Sequence, residues 1–572
     1  MILPSSPEAL ANATWADLAP YYEALATAPL SAEAAPAWLR EWSQLEELIG
    51  EAAAVATIAY TCDTDNAEKE AAHLRFAAEI SPQQDKQQVR LARRLLALGW
   101  DDPELATVLR RLRTDAALFR EENVHLLSEL EELETSYDKI TGGMTIDWEG
   151  ERKTIAQLQP FLKQRDRATR ERAFRCMASP YVAERERLAD LFDQSYARRQ
   201  QVASNAGFAN YRDYIFAAKY RFDYTPDDTA RFHDAVEATV TPAVARLLAY
   251  RRERLALDIV RPWDLAVDPD RATPLVPFRD VTELVDRARS MFDRIDPELG
   301  RHFRTMAEQG LLDLDSRPGK APGGYCMTLP FRGQPFVFMN AAGVPEDVST
   351  LVHEAGHCFH GVAAHRLPYI WQRATGMEAA ELASMTMELL AGPHLGRPAG
   401  YYPPADVRHA LVDHLEDILM SLAHIACVDA FQSWIYTSGS GGDRDARDAH
   451  WLTLRARFER GVDWTGLESE RVARWYRQSH IFTAPFYYIE YGIAQLGALQ
   501  IWRDSLSDYR GAVTRYKQAL ALGGTRPLPE IYAAAGAALV FDAKRMGELV
   551  HLVEHRIESL RAVSEDVLAA VV

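Results

Sequence analysis

Apolar residues recur at helical spacing over most of the chain. Two stripes stand out before residue 135, and they consist of Trp38, Leu39, Trp42, Leu45 and Ile49, and of Leu105, Leu109, Leu112 and Phe119. Recurrence every three or four residues places such side chains on one face of an α-helix. The same period returns from Leu158 to about Arg254. The pattern predicts a mostly α-helical protein in which these stripes form core.

Two stretches depart from this period and predict short strands. After a Gly-Gly pair, the sequences MTIDW and ERKTI flank Glu149 and Gly150, which is typical of a hairpin. Further on, residues 335–340 form the best strand candidate, with Tyr325–Leu329 as a possible partner. We therefore expect a small sheet within an otherwise helical chain.

The stretch that follows this sheet, residues 348–360, reads VSTLVHEAGHCFH and contains His-Glu-x-x-His. Pro345 suits the first turn of a helix. His353 and His357 then lie one turn apart on the same face, the spacing at which two imidazoles can bind one metal ion. Glu354 can reach a water molecule in an open metal position and accept its proton. The alternative is a surface pair of histidines without a ligand.

A catalytic zinc site usually has three protein ligands, so a third ligand is expected. The residue ten positions after His353 is alanine, which excludes a third histidine at that spacing. Glu381 follows His357 by 24 residues on a second predicted helix, and it is the preferred ligand. Spacing alone leaves Glu378 as an alternative. Glu388 shares a helical face with Glu381 and is expected to hold an imidazole through its other nitrogen.

The strand predicted at residues 335–340 lies just before the metal-binding helix. A strand beside a metal site can accept an extended peptide as one more strand, through main-chain hydrogen bonds that ignore the peptide's side chains. Phe336, Phe338 and Asn340 are therefore the predicted substrate-binding residues. The alternative is a hairpin that only braces the metal-binding helix.

A second group of candidate residues lies more than 100 positions downstream, at His480, Tyr487, Tyr488 and Tyr491. Attack on a peptide carbonyl creates an oxyanion, and imidazole and phenol groups can donate hydrogen bonds to it. Clusters of aromatic residues are more often core, which is the alternative interpretation.

The segments HEAGHCFH, ELASMTME and GGYCMTLPFRGQPFVFMN resemble the thimet oligopeptidase family of zinc metallopeptidases, and its oligoendopeptidase F branch is the closer match. Weaker matches, such as HIFTAPFYYIEYGIAQLGA, extend the resemblance over roughly residues 115–540. The set of His353, His357 and Glu381 predicts one zinc ion per chain, and the resemblance implies a deep cleft between two lobes. It also implies that a histidine and tyrosines close over the substrate, where His480 and Tyr488 match best and Tyr491 next.

Length and charge complete this prediction. A chain of 572 residues is long for one core, so we expect an N-terminal helical lobe at residues 1–190 and a catalytic helical domain at residues 191–572. The net charge of −18 argues against nucleic acid or an anionic membrane as a partner. Five scattered cysteines and an N-terminus without a basic, apolar leader favour the cytoplasm. The oligomeric state is left open.

The sequence thus predicts a zinc-dependent oligoendopeptidase that acts on short peptides. One alternative is a zinc carboxypeptidase or dipeptidyl carboxypeptidase with a similar helical fold. Another is a helical peptide-binding or scaffold protein with a catalytically silent zinc site. Glu354 argues against the silent site, because a structural metal site needs no general base.

Overall fold

The computed structural model describes residues 3–562 except residues 318 and 322. Within these residues the chain forms 24 α-helices and five short β-strands, so the predicted mostly α-helical class is confirmed. The strands are β1 (Thr145–Trp148), β2 (Glu151–Thr154), β3 (Leu312–Asp315), β4 (Tyr325–Leu329) and β5 (Gln334–Ala341).

The helices fall into three runs along the chain. Before β1 they are α1 (Trp15–Thr27), α2 (Ala35–Cys62), α3 (Ala67–Leu74), α4 (Ser81–Leu96), α5 (Ala106–Leu118) and α6 (Glu121–Gly142). Between β2 and β3 they are α7 (Gln159–Leu162), α8 (Arg167–Ala183), α9 (Arg185–Asn205), α10 (Tyr211–Ala218), α11 (Pro226–Arg254), α12 (Val281–Ile295) and α13 (Pro297–Glu308). After β5 they are α14 (Pro345–Ala364), α15 (Ile370–Arg373), α16 (Met377–Ala391), α17 (Pro404–Thr437), α18 (Arg444–Phe458), α19 (Glu468–Tyr476), α20 (Ser479–Thr483), α21 (Tyr488–Ser505), α22 (Tyr509–Leu520), α23 (Leu528–Ala535) and α24 (Ala543–Ala562).

The predicted apolar stripes lie inside the protein. Trp42 and Leu45 of α2 are fully buried, and they belong to an apolar cluster that joins residues 10–112 to Tyr369. The largest apolar cluster, in contrast, combines residues from Tyr137 to Leu560. Helices on both sides of residue 190 contribute to this second cluster. The division into two domains at that residue stays a prediction.

The sheet beside the metal-binding helix has three strands in the order β3-β5-β4. β4 pairs antiparallel with β5, as predicted, with Tyr325 opposite Phe338. β3, which the sequence analysis did not identify, pairs parallel with the other side of β5, and Leu312 lies opposite Val337. β5 is therefore the central strand and β4 is at an edge. β1 and β2 form the predicted antiparallel hairpin elsewhere.

Helix α17 has the length and apolar composition of a membrane-spanning helix. In the structure, however, 67% of its most apolar window is buried inside the protein. It packs against α11 and α21, and its side chains contribute to the largest apolar cluster. Burial within the protein thus accounts for its hydrophobicity.

Candidate active site

Helix α14 carries the His-Glu-x-x-His motif and begins at Pro345, as predicted. The Asp347 carboxylate fixes its first turn, because Oδ2 accepts hydrogen bonds of 2.7–2.9 Å from the N–H groups of residues 342–344. One turn of helix separates His353 from His357, and their ring centroids are 4.9 Å apart. The helix therefore directs both imidazoles to the same side.

The glycine between the two histidines lets a second helix approach them. A Cβ atom on Gly356 would lie 2.6 Å from Cα of Ser384 and 2.8 Å from the carbonyl oxygen of Ala383, both in α16. Real Cβ atoms essentially never come so close to backbone atoms. The absence of a side chain at Gly356 thus allows α16 to pack directly against the motif.

This close packing brings Glu381 of α16 to the two histidines. Its Oε2 lies 3.3 Å from Nε2 of His353 and 3.7 Å from Nε2 of His357. The three ligand atoms are within 4.8 Å of one another, which is compact enough to hold one metal ion. Glu378, the alternative from spacing, faces elsewhere, and its Oε1 accepts a hydrogen bond of 2.6 Å from Tyr224.

A second carboxylate supports the first histidine from behind. Oε1 of Glu388 lies 2.7 Å from Nδ1 of His353, the arrangement that the sequence analysis proposed for this residue. Oε2 of Glu388 lies 3.2 Å from Nε2 of His414, a residue of α17 that the sequence analysis did not identify. These contacts leave Nε2 of His353 directed toward the cavity and His357.

Burial and the neighbouring carboxylates determine the charges of these groups. Burial alone would lower the pKa of His353, but hydrogen bonds with Glu381 and Glu388 outweigh it and raise that pKa well above its usual value. Burial lowers the pKa of His357 to about 4, so that imidazole is neutral near pH 7. The carboxylates thus create a negative field at Nε2 of His353, which suits a bound cation.

Glu354 points into the same cavity and is only 8% exposed. Burial raises the pKa of its carboxyl group to about 7, although His353 and a backbone hydrogen bond from Cys326 oppose that shift. A carboxyl group with such a pKa can both accept and release a proton near neutral pH. Its location beside the three-ligand cluster is that expected of a general base.

The cavity has a volume of about 390 Å³. Its walls come from β4, α14, α15, α16, α21 and the residue before α21, and they include Tyr325, Cys326, Thr328, His353, Glu354, His357, His360, Arg373, Glu381, Tyr487 and Tyr491. β4 contributes Tyr325, Cys326 and Thr328, Tyr491 comes from α21, and Tyr487 directly precedes that helix.

The three candidate tyrosines have different environments. Tyr487 donates a hydrogen bond of 2.7 Å to Oε1 of Glu381, and the hydroxyl of Tyr491 lies 3.5 Å from Nε2 of His480. Tyr488 instead donates a hydrogen bond of 2.7 Å to Gln478, and its side chain is not among the cavity walls. The structure therefore brings Tyr487 and Tyr491 to the cavity. His480 contacts Tyr491 but does not itself line the cavity.

The predicted substrate-binding strand has a different role from the one expected. Both edges of β5 are already paired, so Phe336 and Phe338 cannot offer main-chain hydrogen bonds to a peptide. Their side chains are 7% and 0% exposed. Asn340 donates its amide hydrogens to the carbonyl oxygens of Ala321 and Gly323. Among the residues that the structure describes, no strand pairs with the outer edge of β4, which lies beside the cavity.

Comparison with known proteins gives consistent relationships. The sequence profile described as peptidase family M3 matches residues 161–545. Oligopeptidase PepF of Bacillus subtilis is 23% identical over 397 residues, which are 66% of this chain but only 55% of that relative. An oligoendopeptidase F homolog of Borreliella burgdorferi is 21% identical over 452 residues, 74% of this chain and 73% of that protein.

Solved structures agree with these matches. A structure of PZ peptidase A with inhibitor 2 is 27% identical, with a TM-score of 0.89, and the superposition covers 96% of this chain and 97% of that one. Oligoendopeptidase F from Enterococcus faecium shares the fold at 16% identity, with a TM-score of 0.62 and coverage of 96% and 97%. The predicted relationship to the oligoendopeptidase F peptidases is confirmed. Because the family profile matches more than half of this chain, the chain belongs to peptidase family M3.

Proposed function

We propose that this protein is a zinc-dependent oligoendopeptidase that hydrolyses internal bonds of short peptides. One observation carries the proposal: Glu354 lies in the same cavity as the cluster of His353, His357 and Glu381. Zinc metallopeptidases use this arrangement, a general base beside a metal site with three protein ligands. The names of the matched relatives, an oligopeptidase and an oligoendopeptidase F homolog, support short peptides as substrates.

The donor set suits zinc, at one ion per chain. Two imidazole nitrogens and one carboxylate oxygen are a common set for catalytic zinc, which leaves a position for water or substrate. When bound, zinc would supply Lewis-acid activation of the peptide carbonyl and of a water molecule. Glu388, whose other oxygen contacts His414, fixes the ring of His353, so this ligand is oriented before any metal binds.

The proton transfers fall to Glu354. Its carboxylate accepts a proton from the attacking water, and the same oxygen then delivers that proton to the nitrogen of the leaving amine. The backbone hydrogen bond from Cys326 holds the carboxyl group against β4, where the peptide would lie. Glu354 therefore acts at both ends of the reaction.

Tyr491 is our candidate donor to the oxyanion, with His480 behind it. Burial raises the pKa of Tyr491, with the Glu381 carboxylate next in effect, so its phenol keeps its proton at working pH. The phenol of Tyr487 already donates its hydrogen bond to Glu381, and that of Tyr488 donates to Gln478. This assignment replaces the earlier expectation for Tyr488, and it keeps His480 as a supporting group.

The peptide would bind along the free edge of β4 rather than along β5. An extended peptide can add to such an edge through main-chain hydrogen bonds, so its affinity would depend only weakly on its side chains. Tyr325, Cys326 and Thr328 line the cavity from this strand. Broad sequence tolerance is the expected consequence. A cytoplasmic location and the absence of nucleic-acid or membrane partners stay predictions.

The carboxypeptidase and dipeptidyl carboxypeptidase alternatives differ from this proposal in one testable requirement. Both need a free peptide C-terminus, whereas an endopeptidase does not. We would incubate the purified protein with peptides of about 5–15 residues, each with a free or an amidated C-terminus, and identify the products by mass spectrometry. Internal cleavage of both forms is expected. Cleavage of the free forms alone would favour a carboxypeptidase.

A second series tests the restriction to short substrates. At a fixed sequence around the cut, kcat/KM should be highest for short peptides and should fall for a long unfolded chain such as reduced casein. Comparable cleavage per bond in casein would contradict the oligopeptidase assignment. A chelator should abolish all cleavage, and added zinc should restore it.

A further inference from the structure

Two thiols touch each other in the wall of the metal cavity. Sγ of Cys326, in β4, lies 3.3 Å from Sγ of Cys358, in α14. Cys326 is half-buried and lines the cavity, whereas Cys358 is fully buried beneath it. No disulfide joins them. The other cysteines have different neighbours, with Cys62 beside Asp313 and Cys427 beside Arg455.

We propose that Cys326 and Cys358 form a reversible disulfide site, and that a peroxide or a small disulfide oxidises this pair and switches the cavity to a state of low activity. A disulfide bond is about 2.05 Å long, so the sulfur atoms need to approach by little more than 1 Å. β4 and α14 already pack against each other, so the approach needs no large rearrangement.

The exposure of the two residues gives them different tasks. An oxidant that enters the cavity reaches Cys326 first, because Cys358 is shielded from solvent. With hydrogen peroxide, the Cys326 sulfur attacks the O–O bond, becomes a sulfenic acid, and one water is released. The Cys358 sulfur then attacks the Cys326 sulfur, and the hydroxyl group leaves with the Cys358 proton as a second water. Two thiols are oxidised by two electrons, and the peroxide is reduced to two waters.

Glutathione disulfide would lead to the same product. The Cys326 thiolate displaces one glutathione and forms a mixed disulfide, and Cys358 then displaces the second glutathione. Both routes end with a bond between β4 and α14. Thiol reductants reverse it by the same exchange.

The neighbours of the two cysteines explain the expected effect, which rests on the function proposed above. Cys358 directly follows the metal ligand His357 in sequence, and the backbone of Cys326 is hydrogen-bonded to Glu354. A bond between the sulfurs would draw the edge of β4 toward α14, and so move the proposed peptide-binding edge relative to the general base. Misplacement by about 1 Å in a reacting geometry can cost on the order of a hundredfold in rate.

The test uses the reduced, zinc-loaded protein, treated with hydrogen peroxide or with glutathione disulfide. Free thiols are then alkylated, and intact mass and peptide mapping locate any cross-link. We expect a Cys326–Cys358 disulfide, a fall in kcat/KM of at least tenfold, and full recovery with dithiothreitol. The Cys326→Ala variant lacks the thiol that the oxidant reaches first and leaves only the shielded Cys358, so it should keep its own untreated kcat/KM after the same treatment. The Cys427→Ala variant, which removes another buried thiol, should respond like the wild type.

Two results would overturn the proposal. One is the absence of the Cys326–Cys358 cross-link under conditions that oxidise the partly exposed Cys62 or Cys176. The other is a complete cross-link with unchanged kcat/KM. The mass measurement does not depend on activity, and it decides by itself whether the disulfide forms. If the reduced protein cleaves no peptide, the proposed function is refuted, and the result on the disulfide is a separate one.

Discussion

The phenol of Tyr487 donates a hydrogen bond of 2.7 Å to Oε1 of Glu381, while Oε2 of the same carboxylate faces the two histidines. The two oxygens of Glu381 therefore have separate partners. The phenol fixes the rotation of the carboxylate, so that Oε2 is presented to the metal position. Burial raises the pKa of Tyr487, and the nearby Glu381 charge raises it further, so the phenol stays a donor.

Tyr487→Phe should weaken metal binding by about 10–100-fold, the usual cost of losing a group that orients a ligand. The variant keeps the ring and removes only the hydroxyl. Competition with a chromogenic chelator measures the affinity. Tyr488→Phe is the matched control, since its hydroxyl contacts Gln478, and it should bind metal like the wild type. Equal metal affinity in all three proteins would contradict the orienting role.

Tyr491→Phe should lower kcat by about 10²–10³-fold with little change in KM, because an oxyanion donor acts mainly in the transition state. Tyr488→Phe again serves as the control. It should leave kcat nearly unchanged and cost only about 0.5–1.5 kcal/mol of stability for one hydrogen bond. If Tyr488→Phe proved to be the damaging change, the assignment of the donor would have to move to that residue.

Glu354→Gln should retain the metal and lose most of the rate, because an amide keeps the shape of the side chain but accepts no proton. Elemental analysis after dialysis and steady-state kinetics on one fluorogenic peptide would measure both properties. Loss of the metal together with the activity would show that Glu354 acts as a ligand and not as a base.

Glu381→Ala should release the metal, since it removes one of three ligands. Glu378→Ala, one helical turn away, should retain it, because Glu378 contacts Tyr224 and not the histidines. Both carboxylates are buried, so unfolding must be monitored by circular dichroism in each case. The opposite pattern, with metal lost only from the Glu378 variant, would show that the third ligand is wrong by one turn.

Metal affinity should rise with pH. Hydrogen bonds to Glu381 and Glu388 outweigh burial and raise the pKa of His353, so this imidazole is protonated in the metal-free protein near neutral pH. His357, with its pKa lowered to about 4, has no proton to lose. Binding should therefore displace a proton from His353, and affinity should rise with pH, by at most about tenfold per unit, until that imidazole is neutral in the metal-free protein. A titration with zinc buffers at several pH values tests this slope.

The metal ligands could be predicted from the sequence because their arrangement depends on local helix geometry. A spacing of four places His353 and His357 on one face in any α-helix, and Glu388 follows Glu381 by two turns on the next. The choice between Glu378 and Glu381 needed the packing of α16 on Gly356, which is a tertiary contact. His414 lies on α17, where no local pattern links it to the metal-binding helix.

The tyrosines and the substrate strand could not be predicted in the same way. Phe486 has a positive φ of 63°, which is unusual for an aromatic residue, and α21 begins just after it. This turn affects which phenol faces the cavity. Because position 486 is a phenylalanine and not a glycine, the sequence does not signal a positive φ there. The central place of β5 depends on β3, which is joined to it by parallel pairing and was hidden by its short length.

The outer edge of β4 also matters for contacts between copies of the protein. An unpaired strand edge is a template for any extended chain, including a strand of another copy, and proteins usually shield such edges. Here the edge is only five residues long and lies along a cavity against α14. A strand of another copy would enter together with its own sheet, whose next strand lies about 4.8 Å away. A cavity of about 390 Å³ has little room for that second strand. The confinement to which we attribute the restriction to short peptides would thus also protect the protein from edge-to-edge aggregation.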